Sequence, residues 1–225
     1  MKFGVVRFPG SCDEVDAVLA CERHGDAEIL WHGDRDLRGA DVVVVPGGFS
    51  YGDYLRVGAI AQFSPVMEAV ADFARNGGPV LGICNGFQVL CEAGLLPGAL
   101  LPNTELRFLC RQVDVEVVNA GTLFTGECVE GQALSIPVKH TTGRYYAPEE
   151  TLAEMEDAGQ VVLRYAEDYN PNGSANGIAG VCNRERNVMG LMPHPEHAVD
   201  PLTGSADGNC LFASLAAHVG AAAVV

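Results

Sequence analysis

Residues 79–92 read Pro-Val-Leu-Gly-Ile-Cys-Asn-Gly-Phe-Gln-Val-Leu-Cys-Glu, an apolar run that turns into a helical pattern at one cysteine. The stretch predicts a buried strand that leads directly into a helix. Cys84 lies between the two, with Gly82 and Gly86 two residues away on either side. This spacing is typical of a sharp strand-to-helix turn, where larger flanking side chains would collide. Because such a turn directs the sulfur at the helix N-terminus, which favours the thiolate, Cys84 is predicted to be reactive.

Short apolar runs alternate with helical patterns through the first half of the chain. The run Asp41–Pro46 is apolar on both faces, as a central parallel strand should be. Strands separated by helices of this length predict an α/β fold with a doubly wound, mostly parallel sheet flanked by helices. Strands are predicted at Lys2–Arg7, Ala27–Trp31, Asp41–Pro46 and Pro79–Ile83, and helices at Asp13–His24, Gln62–Asn76 and Asn85–Ala93.

The second half has longer alternating runs and short runs broken by Asn/Gly turns, which predict antiparallel additions to the sheet. Strands are predicted at Leu106–Asn119, Ala133–Val138, Val161–Tyr165, Gly177–Cys182 and Val188–Met192, and helices at Ala147–Ala158 and Asp207–Val219. With no repeat or linker in sight, residues 1–225 are interpreted as one domain.

Composition excludes several classes of function. The formal net charge is −15, so the surface repels phosphate backbones and anionic lipid, and neither nucleic acid nor membrane is an expected partner. The eight cysteines are scattered and form no C-x-x-C pair, which disfavours a zinc ribbon or a redox pair. Free thiols in a reducing cytoplasm are the simplest interpretation.

Two further segments follow predicted strands, at the sheet edge where ligands of α/β proteins bind. After the third strand, Gly47 and Gly48 either form only a tight turn or present backbone N–H groups to a developing oxyanion, with the N–H of Asn85 as second donor. After the last short strand, His194-Pro195-Glu196 places a carboxylate two residues from an imidazole. In an extended segment both side chains point the same way, so Glu196 can orient His194 as base for Cys84. The alternative is that His194 only caps a core edge.

A catalytic metal is not expected. His194-Pro195-Glu196 matches half of a zinc deaminase signature, but no P-C-x-x-C follows it. His194 and His197 are three residues apart and lack a matching ligand cluster in the sequence.

The segments Gly82–Gln88 and His194-Pro195-Glu196 together resemble the class I (triad) glutamine amidotransferases. Further segments are similar to one branch of that family, the small bacterial glutaminase subunits of phosphoribosylformylglycinamidine synthase, and the similarity covers nearly the whole chain. Those segments are Pro46–Asp53 (PGGFSYGD), Tyr54–Arg56, Gly58–Ala61, Asn170–Ser174, Ile178–Gly180, Gly190–Glu196 and Gly204–Gly208.

The resemblance implies roles for individual residues. Cys84 would attack the side-chain amide of glutamine, His194 would protonate the departing ammonia and later activate water, and Glu196 would hold His194. Gly48 and Asn85 match the oxyanion-hole positions. The glutamine pocket is expected to include Gly47, Gln88, Asn103, Arg107 and Phe108.

The resemblance also implies partners. Ammonia would pass to a separate synthetase subunit, which uses ATP and Mg to convert formylglycinamide ribonucleotide to formylglycinamidine ribonucleotide in purine biosynthesis. A third small subunit would complete the complex, and no cofactor is expected on this chain. Because a fully formed site would waste glutamine, the oxyanion hole is expected to be mis-set in the isolated chain, at Gly47–Phe49.

The chain departs from the family pattern in two places. After Ile-Pro-Val the family often has Ala-His-Gly-Glu-Gly, whereas this chain has Lys139-His140-Thr141-Thr142-Gly143, a segment expected to face the partner. The first turn lacks the Asn that usually precedes Cys12, which is expected to serve packing. Two other functions stay open: a free-standing cysteine hydrolase or peptidase of the same fold, and a non-catalytic assembly subunit.

Overall fold

Eleven strands and five α-helices make up the part of the chain that the structure, a computed structural model, describes, namely residues 1–166 and 169–222. The strands are β1 (Lys2–Arg7), β2 (Asp26–Trp31), β3 (Val42–Val45), β4 (Val80–Ile83), β5 (Ala99–Leu101), β6 (Leu109–Val117), β7 (Ala133–His140), β8 (Arg144–Tyr146), β9 (Val161–Tyr165), β10 (Ile178–Cys182) and β11 (Val188–Leu191). The helices are α1 (Glu14–Glu22), α2 (Pro65–Arg75), α3 (Asn85–Glu92), α4 (Glu149–Asp157) and α5 (Asn209–Ala222).

Nine of these strands form one sheet in the order β2-β1-β3-β4-β11-β10-β9-β6-β7. The five strands from β2 to β11 pair in parallel, and the remaining pairs are antiparallel. Only β10 and β6 therefore run against the common direction. This arrangement confirms the predicted α/β class, with a mostly parallel sheet extended by antiparallel strands.

The expectation for Val188–Met192 is wrong in one respect. The sequence suggested an antiparallel addition, because Asn/Gly turns flank this run, but β11 pairs in parallel with β4. A short turn does join it to β10 as an antiparallel hairpin. Its other edge meets the central parallel strands, a long-range pairing that local turn residues cannot reveal.

The two interior strands β3 and β4 are apolar because they are buried. Every residue of β3 and β4 is buried, because each strand has a neighbour on both edges and is covered on both faces. Burying one such Val or Leu side chain contributes about 1.5–3 kcal/mol. The Val-rich runs therefore hold the sheet together beneath the loops that follow its strands.

Some element bounds differ from the prediction for local reasons. The expected helix Gln62–Asn76 is a 3₁₀ turn, Ala61–Phe63, followed by α2. The backbone of Ser64 is extended, since a residue before proline avoids the helical region, and Pro65 then begins the helix. No helix of the described residues is both long enough and apolar enough to cross a membrane.

Candidate active site

Cys84 occupies a strained position between β4 and α3. Its backbone has φ 50° and ψ −102°, a conformation that costs a non-glycine residue about 1–3 kcal/mol and that persists where surrounding structure imposes it. Its N–H donates to the carbonyl oxygen of Leu191 over 2.8 Å, which fixes the turn against the end of β11. The side chain is 5% exposed and lines a cavity.

The two glycines that flank this turn leave no room for a side chain. A Cβ on Gly82 would lie 2.5 Å from Cδ1 of Leu90 and 2.9 Å from the carbonyl carbon of Gly86. A Cβ on Gly86 would lie 1.8 Å from the carbonyl oxygen of Val45. The predicted reason for glycine at both positions is confirmed.

Three neighbouring strands bring the predicted site segments together. In the sheet register Val45 pairs with Gly82, and Ile83 pairs with Leu191, so β3, β4 and β11 end side by side. The loops that follow them carry Gly48, Cys84 and His194, and all three residues line the same cavity.

The imidazole of His194 is bound to the carboxylate of Glu196, with Nδ1 2.6 Å from Oε1. Both side chains are almost completely buried. The contact does not arise in an extended segment as expected, because Pro195–His197 forms a 3₁₀ turn that begins after His194. The tight turn brings the carboxylate back to the ring of the residue that precedes it.

The other ring nitrogen of His194, Nε2, is buried and has no hydrogen-bond partner among the described residues. Burial alone would lower the pKa of His194, but the charges of Glu196 and of a Cys84 thiolate outweigh it and raise that pKa above its ordinary value. The site therefore favours the imidazolium form of His194. This arrangement can supply a nucleophile at Cys84 and a proton donor at His194.

A second carboxylate approaches His194, and the sequence analysis did not assign it. Asp13 Oδ2 lies 3.7 Å from His194 Nδ1. Its Oδ1 contacts the ammonium of Lys139 and lies 3.3 Å from Nε2 of His197. Burial would raise the pKa of Asp13, but contacts with His197, His194 and Lys139 hold it well below its usual range. The available signal was that Asp13 follows β1 at the same edge of the sheet.

Asp13, His194, Glu196 and His197 place their potential metal-ligating atoms within 4.8 Å of one another. The ammonium of Lys139 already contacts Asp13 and lies 3.0 Å from Nε2 of His197. A metal ion at this cluster would have to displace that ammonium. The expectation that the chain uses no catalytic metal stays a prediction.

The loop after β3 is held against the first turn of the chain. Gly48 has φ 148°, and a Cβ there would lie 2.7 Å from the backbone N of Cys12. Phe49 N–H donates to Gly10 over 2.8 Å, and Ser50 N–H donates to Oδ1 of Asn85 over 3.1 Å. The backbone N–H groups of Gly48 and Asn85 have no acceptor among the described residues. Their assignment as oxyanion donors, and the mis-set state of the hole, stay predictions.

The cavity in front of Cys84 has a volume of about 400 Å³. Gln88, predicted for the pocket, forms part of its wall. Its Oε1 accepts from Asn85 Nδ2 over 2.9 Å, and its Nε2 donates to the carbonyl oxygen of Thr142. Phe108, also predicted, lies on the rim and is about half exposed.

Three other residues predicted for the pocket are not among the described residues that line the cavity. Gly47 packs against Asp13 and His194, where a Cβ would lie 2.3 Å from Asp13 Oδ2. Asn103 is buried and supports the segment 140–143, which does line the cavity. Arg107 is exposed, and its carbonyl oxygen accepts from Asn103 Nδ2. A glutamine-binding role for these three stays a prediction.

Asp53 is a wall residue that the sequence analysis passed over within the quoted Pro46–Asp53 segment. Its Oδ1 is buried without a hydrogen-bond partner among the described residues. Burial raises its pKa to about 6. His140, also on the wall, is neutral, because burial and the charge of His194 lower its pKa to about 3.

Comparisons with known proteins agree with this geometry. Residues 1–209 match the family described as the CobB/CobQ-like glutamine amidotransferase domain. The chain is 60% identical to the phosphoribosylformylglycinamidine synthase subunit PurQ of Rubrobacter xylanophilus, over 96% of this chain and 98% of that protein. It is 55% identical to the PurQ subunit of Thermus thermophilus, over 97% of this chain and 99% of that protein.

The solved structures place the fold in the same group. A chain of the PurLQS structure from Thermotoga maritima superposes with a TM-score of 0.89 at 42% identity, covering 97% of this chain and 98% of that one. A putative GMP synthase subunit from Thermoplasma acidophilum shares the fold alone, with a TM-score of 0.65 at 16% identity over 100% of this chain and 98% of that one. The chain therefore belongs to the glutamine amidotransferase family and, within it, to the PurQ subunits.

Proposed function

We propose that this chain hydrolyses glutamine to glutamate and ammonia as the glutaminase subunit of phosphoribosylformylglycinamidine synthase. One observation carries the chemistry: His194 is bound to Glu196, its Nε2 has no partner among the described residues, and it lines the same cavity as Cys84 on its strained turn. Membership of the PurQ subunits supports the assignment to purine biosynthesis.

The reaction proceeds in two halves. The Cys84 thiolate attacks the amide carbon of glutamine, and the carbonyl π electrons move onto oxygen. The imidazolium of His194 then gives its proton to the amide nitrogen, which leaves as ammonia, and a γ-glutamyl thioester remains. In the second half His194 removes a proton from water as the water attacks the thioester. Collapse of that intermediate releases glutamate and restores Cys84.

Backbone donors stabilise the oxyanion of both intermediates. The N–H groups of Gly48 and Asn85 serve this role, each donor contributing about 3–4 kcal/mol of transition-state stabilisation. Their lack of acceptors supports the assignment. A cheap peptide flip at Gly48 would allow the hole to form only in the assembled complex.

Asp53 binds the α-ammonium group of glutamine. Its Oδ1 lies on the cavity wall with no hydrogen-bond partner among the described residues, and the ammonium group of an α-amino acid substrate would supply a charged donor there. Because an ammonium nearby favours the carboxylate form, glutamine binding would draw the raised pKa of Asp53 back down.

The chain works in a complex with a synthetase subunit and a small third subunit. The Thermotoga maritima relative is found in such a PurLQS structure. Ammonia passes to the synthetase, which uses ATP and Mg to convert formylglycinamide ribonucleotide to formylglycinamidine ribonucleotide. The reaction belongs in the cytoplasm, in keeping with eight cysteines that form no disulfide.

A glutaminase assay of the chain with and without its synthetase tests the proposal. We expect slow hydrolysis alone and a large increase in the complex. In the complex, Cys84→Ala should abolish glutamine-dependent synthesis and leave ammonia-dependent synthesis intact. Loss of both activities in an assembled complex would refute the role of Cys84.

The two other functions make different predictions. A free-standing cysteine hydrolase would turn over at full rate without the synthetase. An assembly subunit would support ammonia-dependent synthesis, and its Cys84 would not react with a glutamine-like electrophile even in the complex.

A further inference from the structure

A partly buried ion pair lies next to the imidazole of His194. The ammonium of Lys139, on β7, contacts Oδ1 of Asp13, and Oδ2 of the same carboxylate lies 3.7 Å from His194 Nδ1. The Asp13 side chain is 5% exposed and that of Lys139 is 31% exposed. His194 therefore interacts with one oxygen of a carboxylate whose other oxygen contacts the positive charge of Lys139.

The local structure makes room for this pair. A Cβ on Gly47 would lie 2.3 Å from Asp13 Oδ2 and 2.7 Å from Cε1 of His194. The backbone N–H groups of Cys12 and Asp13 approach the carbonyl oxygen of Gly47 at 3.2 and 3.3 Å, which fixes the turn that carries the carboxylate. The approach of Asp13 to His194 is thus a property of the fold and needs glycine opposite it.

Two carboxylates compete for one ring nitrogen. Glu196 Oε1 lies 2.6 Å from His194 Nδ1, against 3.7 Å for Asp13 Oδ2, so Glu196 holds the proton-bearing nitrogen. Both carboxylates stabilise the imidazolium. Without a compensating cation, this double negative charge would hold the proton on His194 too firmly for transfer and would disfavour a thiolate nearby.

We propose that the Lys139–Asp13 pair is a positioning element that sets the charge balance of the Cys84–His194 pair. Asp13 stabilises the imidazolium, and Lys139 limits that stabilisation and favours the thiolate. The effect of this ion pair on catalysis rests on the proposed glutaminase function.

Other titratable groups face the same site. Glu196 and His197 lie on the segment of His194, and His140 lies beside Lys139 on β7. His197 Nε2 lies 3.0 Å from the Lys139 ammonium and 3.3 Å from Asp13 Oδ1. His140 is neutral, because burial and the charge of His194 lower its pKa. Asp53 lines the same cavity.

Two further groups interact with the site from other elements. Tyr165 on β9 interacts with the charge of Cys84, and Cys21 on α1 interacts with the charge of Glu196. Burial raises the pKa of both well above the range of an assay, so they stay uncharged. Their titration therefore does not obscure the effect of a charge change at position 139 or position 13.

The sign of each effect follows from electrostatics. A fixed positive charge near a pair of titrating groups makes every proton release easier, and a negative charge makes it harder. Lys139→Met should therefore move both proton-release steps of the Cys84–His194 pair to higher pH. Asp13→Asn should move both to lower pH. The double variant should lie near the native protein.

Alkylation of Cys84 by iodoacetamide measures the first of these steps in the full chain. The rate is followed from pH 5 to 10 with peptide mass spectrometry, which separates Cys84 from the other cysteines. We expect the midpoint to move by about one pH unit up in Lys139→Met and down in Asp13→Asn. Lys139→Arg should restore the native midpoint. Lys2→Met is the matched control, because Lys2 is the only other lysine and begins β1 at the opposite edge of the sheet.

Unchanged midpoints, or shifts in the same direction for both variants, would overturn the proposal. Thermal unfolding identifies a variant that fails to fold, and the direction of the midpoint shift in the other single variant then decides the case. Alkylation uses no glutamine, so its outcome is independent of the proposed function. In the complex, the glutaminase pH profile should shift as a whole in the same two directions. A native complex that does not hydrolyse glutamine would instead refute the function alone.

Discussion

The Cα of Gly86 lies so close to β3 that a side chain there would place its Cβ 1.8 Å from the carbonyl oxygen of Val45. This approach joins the first turn of α3 to the end of β3, where the loop of Gly47 and Gly48 begins. It therefore sets how near the turn of Cys84 lies to that loop. The spacing between the nucleophile and its predicted oxyanion donors therefore depends on residue 86 having no side chain.

Gly86→Ala should destabilise the protein by about 3 kcal/mol or more, because the methyl group meets backbone, which cannot move aside cheaply. For a chain of this length that corresponds to a Tm lower by about 6–12 °C. Calorimetry measures the change. Gly220→Ala is the matched control: Gly220 is also helical, and no atom of the described residues lies within 4 Å of its Cβ position, so the substitution should stabilise by about 0.5–1 kcal/mol. Equal effects of the two variants would contradict the steric argument.

Asn103→Ala should weaken the wall of the cavity without touching Cys84. The Asn103 amide donates to the carbonyl oxygens of Arg107 and His140 and accepts from Gly143 N–H and His140 Nδ1. Losing these buried hydrogen bonds should cost about 2–4 kcal/mol and raise the glutamine KM. Denaturant unfolding and steady-state kinetics measure both.

The control for this prediction is Asn76→Ala. Asn76 is exposed, and its amide makes one hydrogen bond, to the carbonyl oxygen of Asp72. Its loss should cost less than about 1 kcal/mol. A glutamine KM that stays native in Asn103→Ala would show that the segment 140–143 keeps its place without this support.

The local sequence pattern predicted the main strands and helices of the fold. The apolar runs of β3 and β4 indicate burial, and the glycine spacing around Cys84 indicates where a side chain has no room. Both are local properties of the sequence. The two-stranded sheet of β5 and β8 was missed, because three-residue strands carry no alternation. The parallel partner of β11 was missed because it lies about a hundred residues away in the sequence.

The sequence predicted the parts of the site that belong to short local motifs and missed the parts that form only through tertiary contacts. Cys84, His194 and Glu196 belong to short motifs, and strand register brings those motifs together. Asp13 and Lys139 carry no motif, and they meet across more than a hundred residues of sequence. Asn103 is not among the residues that line the described cavity, and its hydrogen bonds support the segment 140–143 that does line it. Charge pairing of this kind depends on tertiary contacts that no spacing rule records.

Asp53→Asn should stabilise the folded chain at neutral pH. The folded pKa of about 6 exceeds the ordinary value of 3.8, so the folded state binds more protons than the unfolded state between these values. Native stability should therefore fall as pH rises from about 4 to about 6, and the variant should lack this loss. At pH 7.5 the gain is about 1–2 kcal/mol, with allowance for solvent screening of a partly exposed group. Urea unfolding across pH 4–8 measures it, and parallel curves would contradict the raised pKa.

The same substitution tests the substrate contact of Asp53. Asp53→Asn should raise the KM for glutamine about tenfold, because a neutral amide cannot replace a carboxylate opposite an ammonium. Glutaramate, which lacks only the α-amino group, should be a poor substrate of the native complex and should be affected little by the substitution. The ratio of kcat/KM for the two substrates measures the contact. An unchanged ratio would place the α-ammonium elsewhere in the cavity.

Glu196→Gln should remove catalysis while keeping the fold. The amide fills the same buried space, but it is neutral and can donate to Nδ1, so His194 is held in the wrong tautomer. We expect glutaminase kcat in the complex to fall about 10³-fold, with Tm within a few degrees of native and ammonia-dependent synthesis intact. The imidazolium also loses its anionic partner, so the alkaline limb of the remaining activity should move to lower pH. Glu92→Gln, which breaks the Arg56 ion pair instead, is the control and should keep native kcat. A native rate in Glu196→Gln would mean that Asp13 alone can hold His194 in its working tautomer.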